Sequence, residues 1–141
     1  MLSVKVGEKK DYHKIREFII RSEAAYEEES LFITVENELK ELMAVMGVQM
    51  FGTIGLLRSF VFVLSFPTEK LPIFLERALV VARESGCEKL YVATNKEQSI
   101  PLFEVFGFSN LVDKTVENEK LSTVLEEFAQ KENVVFMWKT L

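Results

Sequence analysis

The chain has 141 residues, of which 48% are apolar and 28% are charged, and its formal net charge is −5. This length suits one domain, residues 1–141, and the composition is that of a soluble globular protein. No lysine–arginine cluster of the kind that binds nucleic acid is present, so we expect no nucleic-acid partner. The longest apolar run, Phe60 to Phe66, is too short to cross a membrane. The first residues, "MLSVKVGEKKDYHKI", lack the apolar core of a signal peptide, so we expect a cytoplasmic protein without a membrane partner.

Cysteine and histidine occur once each, at Cys87 and His13. A disulfide within the chain is therefore impossible, and the cysteines and histidines of an ordinary zinc site are missing. We expect no metal. His13 lies off the apolar face of its predicted helix, which indicates a surface side chain.

The first part of the chain predicts a strand and two helices. "LSVKV" alternates as a strand does, and "DYHKIREFIIRS" has apolar residues at helical spacing behind Asp11, a plausible N-cap. The acidic stretch "AAYEEES" predicts a loop, and "ENELKEL" predicts a second short helix. An acidic run of this kind is usually a solvated surface.

The middle of the chain predicts an antiparallel meander from Leu42 to Phe66. "LMAVMGVQMFGTIGLL" indicates two strands joined near Gly47, and "RSFVFVLSF" indicates a third that is covered on both faces.

The clearest helix is "PTEKLPIFLERALVVARESG", with Gly86 placed to end it. "CEKLYVATN" predicts the next strand, "SIPLFEVFGF" a short helix that Gly107 ends, and "FSNLVDKTV" another strand. "ENEKLSTVLEEFAQKE" predicts a helix and "NVVFMWKTL" the closing strand. This order predicts an α/β fold with a mixed sheet, whose strands around residues 60 to 95 run parallel.

The segment "LERALVVARESGCEKLYVATNKEQSIPLFEVFGF", together with the closing "VVFMWKTL", resembles the GNAT superfamily of acyl-CoA-dependent N-acyltransferases. The long helix ending in Glu-Ser-Gly, the strand after it, the short helix and the Gly-Phe step follow the order and spacing of that superfamily. The resemblance implies a central mixed sheet with helices on both faces. It also implies acetyl-CoA or a related acyl-CoA as co-substrate.

The resemblance implies a cofactor site at the end of the third meander strand and in the loop after it. Pantetheine would add beside the strand like an extra strand, near Val63, Leu64 and Ser65. A backbone N–H there would stabilise the oxyanion. Thr68 and Lys70 would meet the pyrophosphate at the start of the long helix.

Two departures from the superfamily pattern concern this site. The loop "PTEKLPIF" contains no glycine, and Pro72 removes a backbone N–H where phosphates need donors. Phe103 stands where the superfamily often has a tyrosine that protonates the departing thiolate. An asparagine that commonly precedes the short helix would fall at Lys96, and this chain has Asn95 one place earlier; either is a candidate to meet the cofactor.

The resemblance leaves two readings open. The first is an N-acetyltransferase, with weakened catalysis, that transfers an acyl group to a primary amine of a small molecule or peptide. The second is a catalytically inactive module of the same fold that binds or regulates. The acidic stretch Glu27 to Glu29 is a candidate for the acceptor side, and a pocket filled by Phe66, Phe74 or Phe103 would favour the second reading. Dimers are common in this superfamily, so a homodimer is compatible with both.

Overall fold

The computed structural model describes residues 2–24, 26–94, 97–111, 118–130 and 134–141. These contain seven strands and four α-helices, whose bounds in chain order are β1 (Ser3–Val6), α1 (Tyr12–Arg21), β2 (Ser30–Glu36), β3 (Leu42–Phe51), β4 (Ile54–Phe62), α2 (Leu71–Glu84), β5 (Lys89–Thr94), α3 (Ile100–Val105), β6 (Ser109–Asn110), α4 (Glu119–Ala129) and β7 (Val135–Thr140). Among the described helices, none has the length and apolar character needed to span a bilayer.

The strands form one mixed sheet in the order β1-β2-β3-β4-β5-β7-β6. The β4–β5 pair is parallel, as predicted for a strand–helix–strand unit, and the other pairs are antiparallel. The predicted α/β class with a mixed sheet is confirmed.

Helices cover both faces of this sheet. On one face α1 packs over the β2–β4 half, and α4 packs over Leu56 and Tyr91 in the other half. On the opposite face α2 and α3 share one large apolar cluster, whose buried members include Phe74, Leu75 and Phe103. The central strands are therefore covered on both sides, which explains their nearly continuous apolar sequence.

The predicted helix "ENELKEL" is wrong. Its residues end β2, form a turn and begin β3. The Asn37 side-chain oxygen accepts hydrogen bonds from the N–H groups of Leu39, at 2.9 Å, and Glu41, at 3.0 Å, and so stabilises the turn. The preceding strand "SLFITVE" was not predicted; it is almost wholly buried between β1 and β3.

The predicted junction at Gly47 is also wrong. Gly47 lies inside β3, and the chain reverses at Gly52 and Thr53 instead. Gly52 has a φ of +68°, which suits glycine in a two-residue hairpin turn. The following strand consequently begins earlier than predicted and ends at Phe62, not Phe66.

A buried carboxylate joins the first three elements. Glu36 of β2 is 3.1 Å from Lys5 Nζ of β1 and 2.7 Å from Lys14 Nζ of α1. Burial by itself would raise the pKa of Glu36, but the hydrogen bonds from the two lysines outweigh burial and hold the pKa below its ordinary value. The carboxylate therefore stays charged and ties α1 to the edge of the sheet.

Candidate functional site

The sheet opens between β4 and β5. The parallel pairing ends at Leu57 and Val92, whereas β4 continues to Phe62 and β5 to Thr94. Beyond that point β4 stays paired with β3, and β5 stays paired with β7. The two central strands therefore diverge and leave a gap, which we call the β4–β5 opening.

A bulge in β4 lies where the opening begins. Gly47 of β3 pairs with Ser59 and Val48 pairs with Leu57, so that Arg58 is an extra residue on β4. A bulge bends its strand and increases the local twist. Arg58 immediately follows the last residue that β5 pairs, so the bend directs β4 away from β5.

Alternation along β4 determines which backbone groups face the opening. The N–H of Val63 donates to Met43 O at 2.9 Å, and Val61 lies in register with Val45 on the same side. Because successive residues of a strand present their N–H groups to opposite neighbours, Phe60 and Phe62 direct theirs toward the opening.

The three residues expected along the cofactor lie beyond the end of β4. The amide of Val63 is already bound to β3, and Leu64 and Ser65 are exposed in the loop that follows. Phe60 and Phe62 were not predicted as residues whose N–H groups face the opening, because the extra residue that sets their alternation is visible only in the register.

The loop after β4 brings Thr68 and Lys70 together at the start of α2. Thr68–Lys70 form one turn of 3-10 helix, and both named side chains are exposed there with Glu69. The N–H of Lys70 is bound to Pro67 O at 2.9 Å, whereas the N–H groups of Thr68 and Glu69, at the start of the turn, have no backbone acceptor among the described residues. Since Pro67 and Pro72 carry no N–H, this loop offers an anion few backbone donors.

Four aromatic rings pack beneath this loop. Phe74 of α2 lies 5.7 Å from Phe60 and 6.3 Å from Phe66, measured between ring centroids, and Phe66 lies 5.9 Å from Phe62. Phe66 and Phe74 are buried, so the rings fix the loop against the helix. A glycine-rich loop would lack such an anchor.

Phe103 lies in the apolar core on the α2 face of the sheet. Its side chain is 2% exposed and packs edge-on against Phe108, with 5.3 Å between ring centroids. No proton donor stands at this position. Asn95 and Lys96, the other residues expected near the cofactor, lie outside the described residues.

The opposite face of the opening carries charged side chains. Arg58 Nη1 lies 2.7 Å from Gln49 Oε1 and 3.6 Å from Glu27 Oε2, and the guanidinium lies 5.2 Å from the Phe128 ring centroid. The acidic stretch Glu27 to Glu29 was considered for this side, and the structure brings Glu27 to the bulge. Arg58, Gln49 and Phe128 were not identified from the sequence; the available signal was one arginine within the apolar run "GLLRSFVF".

A shallow groove adjoins Glu27 between α1 and the segment before β2. Tyr26 stacks on Phe32 with 5.4 Å between ring centroids, and Arg16 lies 6.0 Å from the Tyr26 ring. Burial raises the pKa of the Tyr26 hydroxyl, and the Glu28 carboxylate raises it further. The groove is lined by Tyr12, His13, Arg16, Tyr26, Glu27 and Glu28. The described residues contain no group of three or more histidine, cysteine or carboxylate side chains that could hold a metal.

Solved structures match the whole chain, although no family model and no curated protein matches its sequence. N-acetylglutamate synthase from Neisseria gonorrhoeae, solved with coenzyme A and N-acetyl-glutamate, gives a TM-score of 0.75 at 15% identity. That match covers 100% of this chain but 35% of the synthase chain, so this chain spans about a third of that enzyme.

Two further matches cover nearly all of both chains. The ribosomal-protein-S18-alanine N-acetyltransferase from Escherichia coli gives a TM-score of 0.72 at 15% identity, over 99% of this chain and 94% of the other. An acetyltransferase of the GNAT family from Staphylococcus aureus Mu50 gives 0.70 at 12% identity, over 100% and 99%. The chain therefore has the fold of the GNAT acetyltransferases, as the resemblance in its sequence predicted.

Proposed function

We propose that the protein is an acyl-CoA-dependent N-acyltransferase that moves an acetyl group from acetyl-CoA to a primary amine. The observation that carries this proposal is the β4–β5 opening, which begins at the Arg58 bulge and presents backbone groups of β4 that pair with no other strand among the described residues. A pantetheine arm has amides that can bind such groups as an added strand would. The coenzyme A in the N. gonorrhoeae structure of the same fold supports the same ligand.

The residues around the opening suit this ligand in part. The backbone N–H groups of Phe60 and Phe62 would hold the pantetheine arm, with Ser65, Thr68 and Lys70 near the phosphates. Val63 and Leu64 would pack beside the arm, and Phe103 would border it from α3. Asn95 and Lys96, which lie outside the described residues, stay candidates to meet the cofactor. The small number of free N–H groups in the loop predicts weaker binding than a glycine-rich loop would give.

Transfer would proceed directly, without a covalent enzyme intermediate. The acyl-CoA supplies a thioester; the amine nitrogen bonds to its carbonyl carbon, the C–S bond breaks, and the thiolate leaves with a proton. The amide hydrogens of β4 would stabilise the oxyanion that forms between these two events. With Phe103 unable to donate, water would protonate the thiolate, at a cost of about 100- to 10,000-fold in rate relative to a positioned acid.

A second candidate function is a binding module that has lost acyl transfer. Phe66, Phe74 and Phe103 are all buried in the apolar cluster on the α2 face, and two prolines flank the start of α2. These features remove a proton donor and two phosphate-binding amides while leaving the fold intact.

Titration with acetyl-CoA is the first test of the proposed transferase. At a concentration 100 times its dissociation constant, acetyl-CoA should add about 2.7 kcal/mol to the free energy of unfolding. Thermal shift and calorimetry both measure this binding. We expect Lys70→Ala to raise the dissociation constant about 3- to 10-fold, because the substitution removes one solvent-screened contact between an exposed lysine and a phosphate. Lys9→Ala removes the same charge from an exposed site in the β1–α1 connection and should leave binding unchanged.

Release of free thiol in the presence of an amine panel then tests transfer. Cys87 is buried and should not add to the thiol signal of the folded protein. Binding with acetylated product supports the transferase, and binding without product for any amine supports the second function. A protein that shows no stabilisation at millimolar acetyl-CoA is not an acyl-CoA transferase.

A further inference from the structure

Arg58 is a cation at the inner end of the opening, on the face that α1 and α4 cover. The bulge places it directly after Leu57, the last β4 residue paired with β5. Its side chain contacts Gln49 of β3 and Phe128 of α4, both on that face. The side chain is 18% exposed, so it is mostly buried yet reachable from solvent.

The guanidinium has donors to spare. Arginine presents five N–H donors, and within the part of the chain that the structure describes both polar contacts of Arg58 fall on Nη1. The 3.6 Å separation from Glu27 Oε2 exceeds the 2.7–2.9 Å usual for a charge-assisted hydrogen bond. Arg58 and Glu27 thus form a loose pair of opposite charges, with guanidinium donors left for another anion.

An acceptor would approach the opening from this face. The other face is closed by α2 and α3, whose packed rings include Phe74 and Phe103. Glu27 lies in the wall of the shallow groove and 3.6 Å from Arg58, so the groove and the bulge share this carboxylate.

We infer that the acceptor is an α-amino acid, whose carboxylate binds Arg58 and whose amino group faces Glu27. This inference rests on the proposed transferase function and names its substrate class. A simple cationic amine would match Glu27 alone and leave the spare donors of Arg58 without an anion, whereas an amine beside a carboxylate matches both protein charges. Glu27 would then take the proton that the ammonium must lose, directly or through one water, before the nitrogen attacks.

The test compares acceptors that differ in the carboxylate alone. Each L-amino acid is paired with its α-amide and its decarboxylated amine, and each compound is titrated by calorimetry into the protein saturated with CoA. In parallel, kcat/KM is measured with acetyl-CoA. We expect at least one amino acid to bind and react about 10- to 100-fold better than both of its partners, as a lost charge-assisted hydrogen bond predicts.

Two variants of Arg58 test whether its side chain causes the preference for the amino acid. Arg58→Gln should abolish the difference between amino acid and amide, and Arg58→Lys should restore part of it, because lysine keeps the charge but not the paired donors. Arg83→Gln removes an exposed arginine from the last turn of α2 and should leave the preference intact.

The outcomes separate this inference from the proposed function. If acetyl-CoA binds and an amine without a carboxylate is acetylated as well as its amino acid, the assignment of Arg58 is overturned while the transferase stands. If no amine is acetylated but an amino acid binds the CoA complex through Arg58, the transferase fails and the amino-acid site stands. If no amino acid binds the CoA complex, or if Arg58→Gln preserves the preference in a folded protein, the inference is wrong.

Discussion

Phe103 places an aromatic ring without a proton donor in the apolar cluster on the α2 face. The ring is 2% exposed and packs on Phe108, so a hydroxyl added at its far end would enter an apolar cluster. We expect Phe103→Tyr to lower the free energy of unfolding by about 1–3 kcal/mol, because the hydroxyl would lose its water without gaining a partner. Denaturant unfolding of the two proteins measures the difference.

The control for Phe103→Tyr is Phe106→Tyr, in the same short segment but only partly buried. This second hydroxyl can keep its water, and we expect a change below about 0.5 kcal/mol. Equal stability of Phe103→Tyr and the unchanged protein would show instead that the ring edge faces the β4–β5 opening. In that case the added hydroxyl should speed thiol release.

Gly86 terminates helix α2, as the sequence indicated. Gly86 has a φ of +97°, and a Cβ built on it would have no heavy atom within 4 Å. The effect of Gly86→Ala therefore isolates backbone strain, and we expect a loss of about 1–2 kcal/mol in the free energy of unfolding. Gly86→Asn should cost less, because asparagine adopts this conformation more readily; equal costs for both residues, measured by urea unfolding, would contradict this explanation.

Elements with local signals were predictable from the sequence. Helix α2 has a helical apolar period and a glycine after its last turn, and α3, which ends at Val105, is followed by Gly107, whose φ is +91°. The helix prediction for "ENELKEL" was wrong because its composition favours a helix, whereas pairing between β2 and β3 and the side chain of Asn37 make it a turn. Pairing of the two flanking strands therefore outweighed the local helix preference.

The position of the loop before α2 was predictable from the sequence, whereas the contacts around the candidate site were not. Thr68 and Lys70 follow from the position of α2, which the sequence indicates well. The donors Phe60 and Phe62 depend on the one-residue bulge at Arg58, and the Arg58–Glu27 pair joins residues 31 positions apart. Neither a register shift nor such a distant contact leaves a pattern in one sequence.

The molecule as a whole is a sheet held open at its centre. The α1 and α4 helices cover one face and α2 and α3 the other, while β4 and β5 remain attached to different halves of the sheet. A strand-like ligand between them would complete the sheet. The chain shares this fold with the GNAT acetyltransferases, although the sequences in the matches described are only 12–15% identical.

The most direct measurement is amide hydrogen exchange along β4, with and without saturating acetyl-CoA. Without ligand, the amides of Phe60 and Phe62 should exchange fast, whereas those of Val61 and Val63, which face β3, should be protected. With acetyl-CoA we expect protection to appear at Phe60 and Phe62, by about 10-fold or more, because the pantetheine arm accepts their hydrogens. Binding of acetyl-CoA that leaves these two amides exchanging fast would contradict the assignment of the β4–β5 opening as the acyl-donor site.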